Sequence, residues 1–194
     1  MRRSIFFLAA AFAALLSGSF SCDQGARSAA AAEPADSTEP ADSAGKEVVM
    51  KLISTEFDHG EMIPAKFTSD GRNANPPLRI EGVPAGAVSL VLIVDDPDAP
   101  GGTWDHWIVF NIPPDTAEIK EHSVPGTEGT NSFGRLAYGG PSPPSGTHRY
   151  YFKLYALDRK LDLKEDAVKA DVEKAMKGHI LAQTELMGKY KKKR

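Results

Sequence analysis

The stretch Arg149-Tyr150-Tyr151-Phe152-Lys153-Leu154-Tyr155-Ala156-Leu157 decides the fold class. Side chains alternate across a strand, so Tyr150, Phe152, Leu154 and Ala156 share one face and Tyr151, Lys153 and Tyr155 the other. Aromatic and branched residues in that pattern favour a pleated surface. Working outward, Val88–Val94 is a nearly continuous apolar run between Gly86 and Asp95, as in a strand buried on both faces. His106–Ile112 and Val48–Ile53 read as two more strands, with His106 on the face of Ile108 and Phe110, and Trp107 on that of Val109. Turn-rich stretches separate them at Ser69–Pro77, Asp95–Gly102 and Gly139–Gly146. Helical spacing occurs only near the C-terminus. From about Asp166 it places Val168, Val172, Ala175 and Met176 together, and Gly178 ends or bends the segment. A second short helix is predicted over Ile180–Met187, with Gly188 beyond it. The pattern predicts a mainly β domain of antiparallel sheets with short C-terminal helices. A doubly wound parallel sheet is not expected, because strands do not alternate with helices.

The N-terminus reads differently. Arg2 and Arg3 precede Ile5–Leu16, a run without a polar residue, and then small residues. The run is too short to span a bilayer, which takes about 20 residues. Residues 1–21 are expected to be a secretory signal. Cys22 follows in Ser19-Phe20-Ser21-Cys22, which is similar to a bacterial lipoprotein processing site, although Ser19 stands where an aliphatic residue is usual. Lipidation of Cys22 would hold the protein on a membrane and place it in the cell envelope or periplasm. Residues 22–46 lack large apolar side chains and repeat Glu-Pro-Ala-Asp-Ser at Glu33–Ser37 and Glu39–Ser43, so they read as a flexible linker. The folded domain is expected over residues 47–194. A net charge of -3 gives no reason to expect nucleic-acid binding, and a single cysteine excludes an internal disulfide and a cysteine-built zinc site.

Three segments hold polar residues that packing does not readily explain. Asp95-Asp96-Pro97-Asp98-Ala99-Pro100 is either a solvated turn or a loop delivering carboxylates to a site. His106 is either a satisfied core histidine or a donor aimed into a pocket. Gly139–Tyr150 combines glycines, which let backbone amides approach a ligand, with prolines that stiffen the loop. His148 and Tyr150 lie two apart on a strand and point the same way, beside those amides. Imidazole, phenol and amide together suit an oxyanion such as phosphate.

Taken in order, several segments carry a resemblance. They are Ser54-Thr55-Glu56-Phe57-Asp58-His59-Gly60, Ile63-Pro64-Ala65-Lys66-Phe67-Thr68, Asp70-Gly71-Arg72-Asn73 and Asn75-Pro76-Pro77-Leu78. The Asp96–Pro100 loop, Trp104–Pro113, Tyr138–Leu157 and Gly178-His179-Ile180-Leu181-Ala182 follow. With these the chain resembles the phosphatidylethanolamine-binding proteins, also called Raf-kinase-inhibitor-like proteins, in their bacterial branch. The resemblance implies a β-sandwich with a small anion pocket lined by Asp96, His106, His148 and Tyr150, with a backbone amide near Ser142. It also implies a cis Ala99–Pro100 bond. The expected function is binding of a small anionic or phosphorylated ligand, such as a phospholipid headgroup, with a protein partner of unknown identity and no cofactor or metal. The alternative is a hydrolase acting on esters or phosphoesters through Asp96, His106 and His148, against which stands the lack of a Gly-x-Ser-x-Gly elbow. His59 and His122 are expected in exposed loops, and His179 in a structural hydrogen bond.

Overall fold

The computed structural model describes residues 49–192. The expected signal, the linker, Cys22 and the last two residues, Lys193 and Arg194, lie outside them. The strands are β1 (Lys51–Ser54), β2 (Leu78–Glu81), β3 (Ser89–Asp96), β4 (Trp104–Ile112), β5 (Glu118–Ile119), β6 (Thr127–Glu128), β7 (Thr147–Leu157) and β8 (Ile180–Lys191), with a 3-10 helix (Ala65–Phe67) after β1 and an α-helix, α1 (Lys169–Met176), before β8. β1, β2 and β5 form one sheet, and β6-β4-β3-β7-β8 form the other, with every strand pair in both antiparallel.

β3 is buried along its whole length, because the five-stranded sheet is covered on both faces. On one face Leu90, Leu92, Val94, Trp107, Val109, Phe152 and Leu154 pack with Leu52, Leu78 and Ile80 of the small sheet. On the other Val91, Ile93, Ile108 and Phe110 pack with Val172 and Met176 of α1. Burial of a large aliphatic or aromatic side chain contributes about 1.5–3 kcal/mol, so these two layers dominate the stability. The helix ends as expected: Gly178 takes φ 82°, and the next N–H, of His179, donates to the Met176 carbonyl at 2.9 Å.

The second predicted helix is a strand. β8 pairs with β7 from Thr147↔Lys191 to Leu157↔Ile180. Its Ala, Gln, Glu, Leu and Met favour helix locally, but pairing with the longest aromatic strand overrides that preference. Gly188 belongs to the same arrangement, since a Cβ there would stand 2.5 Å from Ile63 and 2.8 Å from Phe57. The Ala99–Pro100 bond is trans, as are all peptide bonds among the described residues, against the expectation of cis. Trans is the lower-energy form of an X–Pro bond by about 0.5–1 kcal/mol.

One irregularity positions the site. β3 and β4 pair Val94↔Trp107 and then Asp95↔Asp105, so His106 is an extra residue in a β-bulge. The bulge breaks the two-residue alternation. His106 therefore does not share the face of Ile108 and Phe110, as expected from the sequence. Its ring instead lies 5.2 Å from Tyr150, on the side of Trp107. Asp105 turns the opposite way, toward Asp95 and Lys169.

Candidate functional site

The bulge and the end of β3 bring Asp96, His106, His148 and Tyr150 into one cluster. All four are buried, with Tyr150 at 0% exposure. Asp96 Oδ2 accepts from His148 Nδ1 at 2.8 Å, and its Oδ1 accepts from the Asp98 N–H at 2.8 Å. The turn is latched to β7 by Arg149, whose Nε and Nη2 donate to the two oxygens of Asp98 at 2.9 and 2.6 Å. That pairing draws the Asp98 carboxyl down to about 2. The segment is thus both things the sequence offered: Asp95 and Asp96 are buried at the strand end, while Pro97 and Pro100 lie exposed in the turn that follows.

His106 donates from Nδ1 to the Gly139 carbonyl at 2.6 Å, and its ring meets Phe133 edge to face at 5.5 Å. Burial pushes its pKa below the ordinary value, with the Gly139 hydrogen bond and the charge of Asp96 opposing. Both imidazoles therefore spend Nδ1 on the protein, and Nε2 is the atom left for a ligand. In a neutral ring that atom accepts a proton and does not donate one.

The Tyr150 hydroxyl is buried and has no hydrogen-bond partner. Burial, then the charge and the nearness of the Asp96 carboxylate, push its pKa well up, while the Ser142 backbone N–H pulls the other way; both groups lie beside the phenol but outside hydrogen-bond geometry. Ser142 itself is exposed. Among the described residues no serine or threonine hydroxyl is hydrogen-bonded to His106 or His148, so the hydrolase alternative gains no support.

One cavity among the described residues does not coincide with the cluster but adjoins it. It has a volume of about 600 Å³ and shares Phe133, Gly139 and Ser142 with the cluster, while Trp107 and Tyr138 form its aromatic wall. Its wall is already satisfied: Trp107 Nε1 donates to Glu128 at 2.8 Å and the Tyr138 hydroxyl to the Phe67 carbonyl at 2.9 Å. The orphaned hydroxyl lies in the cluster, so the chemistry is read there. Phe133, the Gly139 carbonyl and the bulge were not found from the sequence. Only the two glycines signalled a close approach.

A family model described as phosphatidylethanolamine-binding protein matches residues 53–191. The chain belongs to the phosphatidylethanolamine-binding protein family. Among its relatives in this family, a UPF0098 protein of Methanothermobacter thermautotrophicus is 48% identical over 151 residues, covering 74% of this chain and 99% of that protein. A crystal structure of a phosphatidylethanolamine-binding protein homologue from Chlamydia trachomatis is similar with a TM-score of 0.74 and 43% identity, over 75% of this chain and 99% of that one. E. coli YbcL, described as a member of the mammalian family, matches with a TM-score of 0.69 and 31% identity, over 74% of this chain and 99% of its own. The mainly β, antiparallel fold expected from the sequence is the fold of these family members. Elsewhere, His59 and His122 are exposed as expected, and His179 donates from Nδ1 to Asp158 at 3.0 Å and accepts at Nε2 from Arg159 at 3.2 Å.

The lowered pKa of His106 has a consequence for stability. Between its folded value and the unfolded value of about 6.5, the unfolded chain binds more protons, so stability falls as pH drops through that interval. Urea melts from about pH 8 to about pH 5 are expected to show a smaller loss for His106→Gln than for the unaltered protein. Equal losses in both would remove His106 from the account.

Proposed function

We propose that this protein binds small phosphate-bearing anions that still carry a proton, in the cluster of Asp96, His106, His148 and Tyr150. The buried Tyr150 hydroxyl without a partner carries this reading. A buried unsatisfied polar group costs about 1–3 kcal/mol, and an oxyanion would satisfy it. The Tyr150 hydroxyl and the Ser142 N–H donate to anionic oxygens, while a phosphate hydroxyl donates to a neutral Nε2. Asp96 accepts from His148 and the Asp98 N–H, which partly offsets its repulsion of an anionic guest. A phosphomonoester holds that proton below about pH 6, so affinity rises as pH falls through that range.

The test is a calorimetric titration with inorganic phosphate at two pH values, repeated on Tyr150→Phe. The variant is expected to bind about tenfold more weakly, and to be about 1 kcal/mol more stable without phosphate, since its orphaned hydroxyl is gone. Weaker binding of the unaltered protein at the lower pH, or a Tyr150→Phe variant with full affinity, would refute the reading. Export and a lipid anchor at Cys22 are part of the same proposal, supported by the basic start and apolar run before that cysteine. The mature protein is then expected in the membrane fraction and Cys22→Ser in the soluble one; equal partitioning would exclude the anchor.

A further inference from the structure

We propose that Lys169, on the opposite face of the sheet from the cluster, is a positioning residue for His106. The proposal rests on the anion-binding reading. Lys169 is the first residue of α1, and Val172 and Met176 seat that helix in the second core. Its ammonium reaches Asp95 Oδ2 at 2.6 Å and Asp105 Oδ1 at 3.0 Å. These two carboxylates are register partners across β3 and β4, at the step where the bulge sits. Each is the immediate neighbour of a cluster residue: Asp95 of Asp96, and Asp105 of His106.

The front of the bulge is held by the backbone. Asp105 N–H donates to Ser132 Oγ, and the His106 carbonyl accepts from Gly139 N–H and Asn131 Nδ2. Behind the sheet, Asp105 has no ion pair among the described residues other than Lys169, whereas Asp95 also has Lys153 Nζ at 2.9 Å. Lys169 thus closes the bulge from behind, with its side chain 17% exposed and Asp95 fully covered. A bulge re-aims a side chain, and a site works only when such a turn is held to a fraction of an ångström. The pair of turns is complementary: the same bulge that sends Asp105 to Lys169 sends His106 to Tyr150.

Lys169 has an electrostatic part as well. The charged and titratable groups about His106 are Asp96, His148 and Tyr150 in front and Asp105, Asp95, Lys169 and Lys153 behind. Asp96, Asp105 and Asp95 all favour its protonated form. Lys169 offsets two of these three, and so adds to the burial that disfavours the protonated imidazole.

The experiment uses the full chain and the variants Lys169→Met and Lys169→Arg. The His106 imidazole is followed by nitrogen NMR through a pH titration without ligand, and inorganic phosphate is titrated separately. In Lys169→Met the His106 titration is expected to move to higher pH, and phosphate affinity to fall about tenfold. Lys169→Arg is expected to restore both. Should Lys169→Met fail to fold, Lys169→Met with Asp105→Asn removes the stranded carboxylate, and its phosphate affinity is expected to fall likewise. An unmoved His106 titration together with full phosphate affinity in the folded variant overturns the proposal. If the unaltered protein binds no phosphate while the His106 titration still moves, the anion reading fails and the positioning role stands.

Discussion

Asp96→Ala is expected to lose about 3 kcal/mol of stability and phosphate binding together, the largest effect of any single change in the cluster. The carboxylate is buried and joins two elements, accepting from His148 Nδ1 on β7 and from the Asp98 N–H in the following turn. Removing it strands the buried His148 N–H, which then carries its full desolvation cost, and frees the part-exposed Asp98 N–H in the same step. Asp96→Asn is a milder change. Its side-chain oxygen can still accept from one of the two donors, so an intermediate loss is expected. Denaturant unfolding and phosphate titration of both variants measure this. An alanine variant as stable and as avid as the unaltered protein would show that Asp96 holds neither the turn nor the site.

Gly140→Ala is expected to cost about 2–3 kcal/mol and to weaken phosphate binding, although residue 140 contributes no side chain to the cluster. A Cβ there would stand 2.7 Å from Asn73 Oδ1, 2.8 Å from the Phe67 carbonyl and 2.8 Å from Thr68 Cα. Two of those three are backbone atoms, which cannot swing aside as the end of a side chain would. The residue is also tied in place, since its N–H donates to Asn73 Oδ1 at 2.7 Å. Relief must come from moving the loop itself. That loop presents the Gly139 carbonyl to His106 and the Ser142 amide to Tyr150, so both partners of the site shift. Gly101→Ala is the control, because nothing lies within 4 Å of its Cβ position; it is expected to stay within about 0.5 kcal/mol. Thermal melts and phosphate titrations of the two variants decide the point, and similar behaviour in both would count against a close-packed loop.

How far the site was legible depended on the range of the interaction that makes it. His148 and Tyr150 could be paired from the sequence because both lie on one strand, where a spacing of two means one face. Asp96 was legible as one of several carboxylates at the end of an apolar run, but its partner was not. His148 lies 52 residues away, and nothing in either segment announces the other. His106 was found as a residue and misplaced as a side chain. The face assigned to it follows from strict alternation, and alternation fails at a bulge.

β8 shows the same limit in a different form. Its inward residues Ala182, Thr184, Leu186, Gly188 and Tyr190 do follow a period of two. Small and flexible residues blur that signal, and the local preference for helix prevails until β7 is present to pair with. Lys169 carried no signal at all, because a lysine at the start of a helix is ordinarily a solvated residue.

By itself the sequence determined the class of fold, the family, and the three strands and one loop from which the site is made. Each of these is written in local periodicity, in turn residues, or in an ordered series of short segments. Only the tertiary structure decided that His106 faces Tyr150, that Asp105 faces Lys169, and that a phenol hydroxyl lies buried without a partner. The physical reason is that strand register and burial are properties of pairs of segments distant in the chain. A side chain's face is set by its own strand only while its neighbour keeps step.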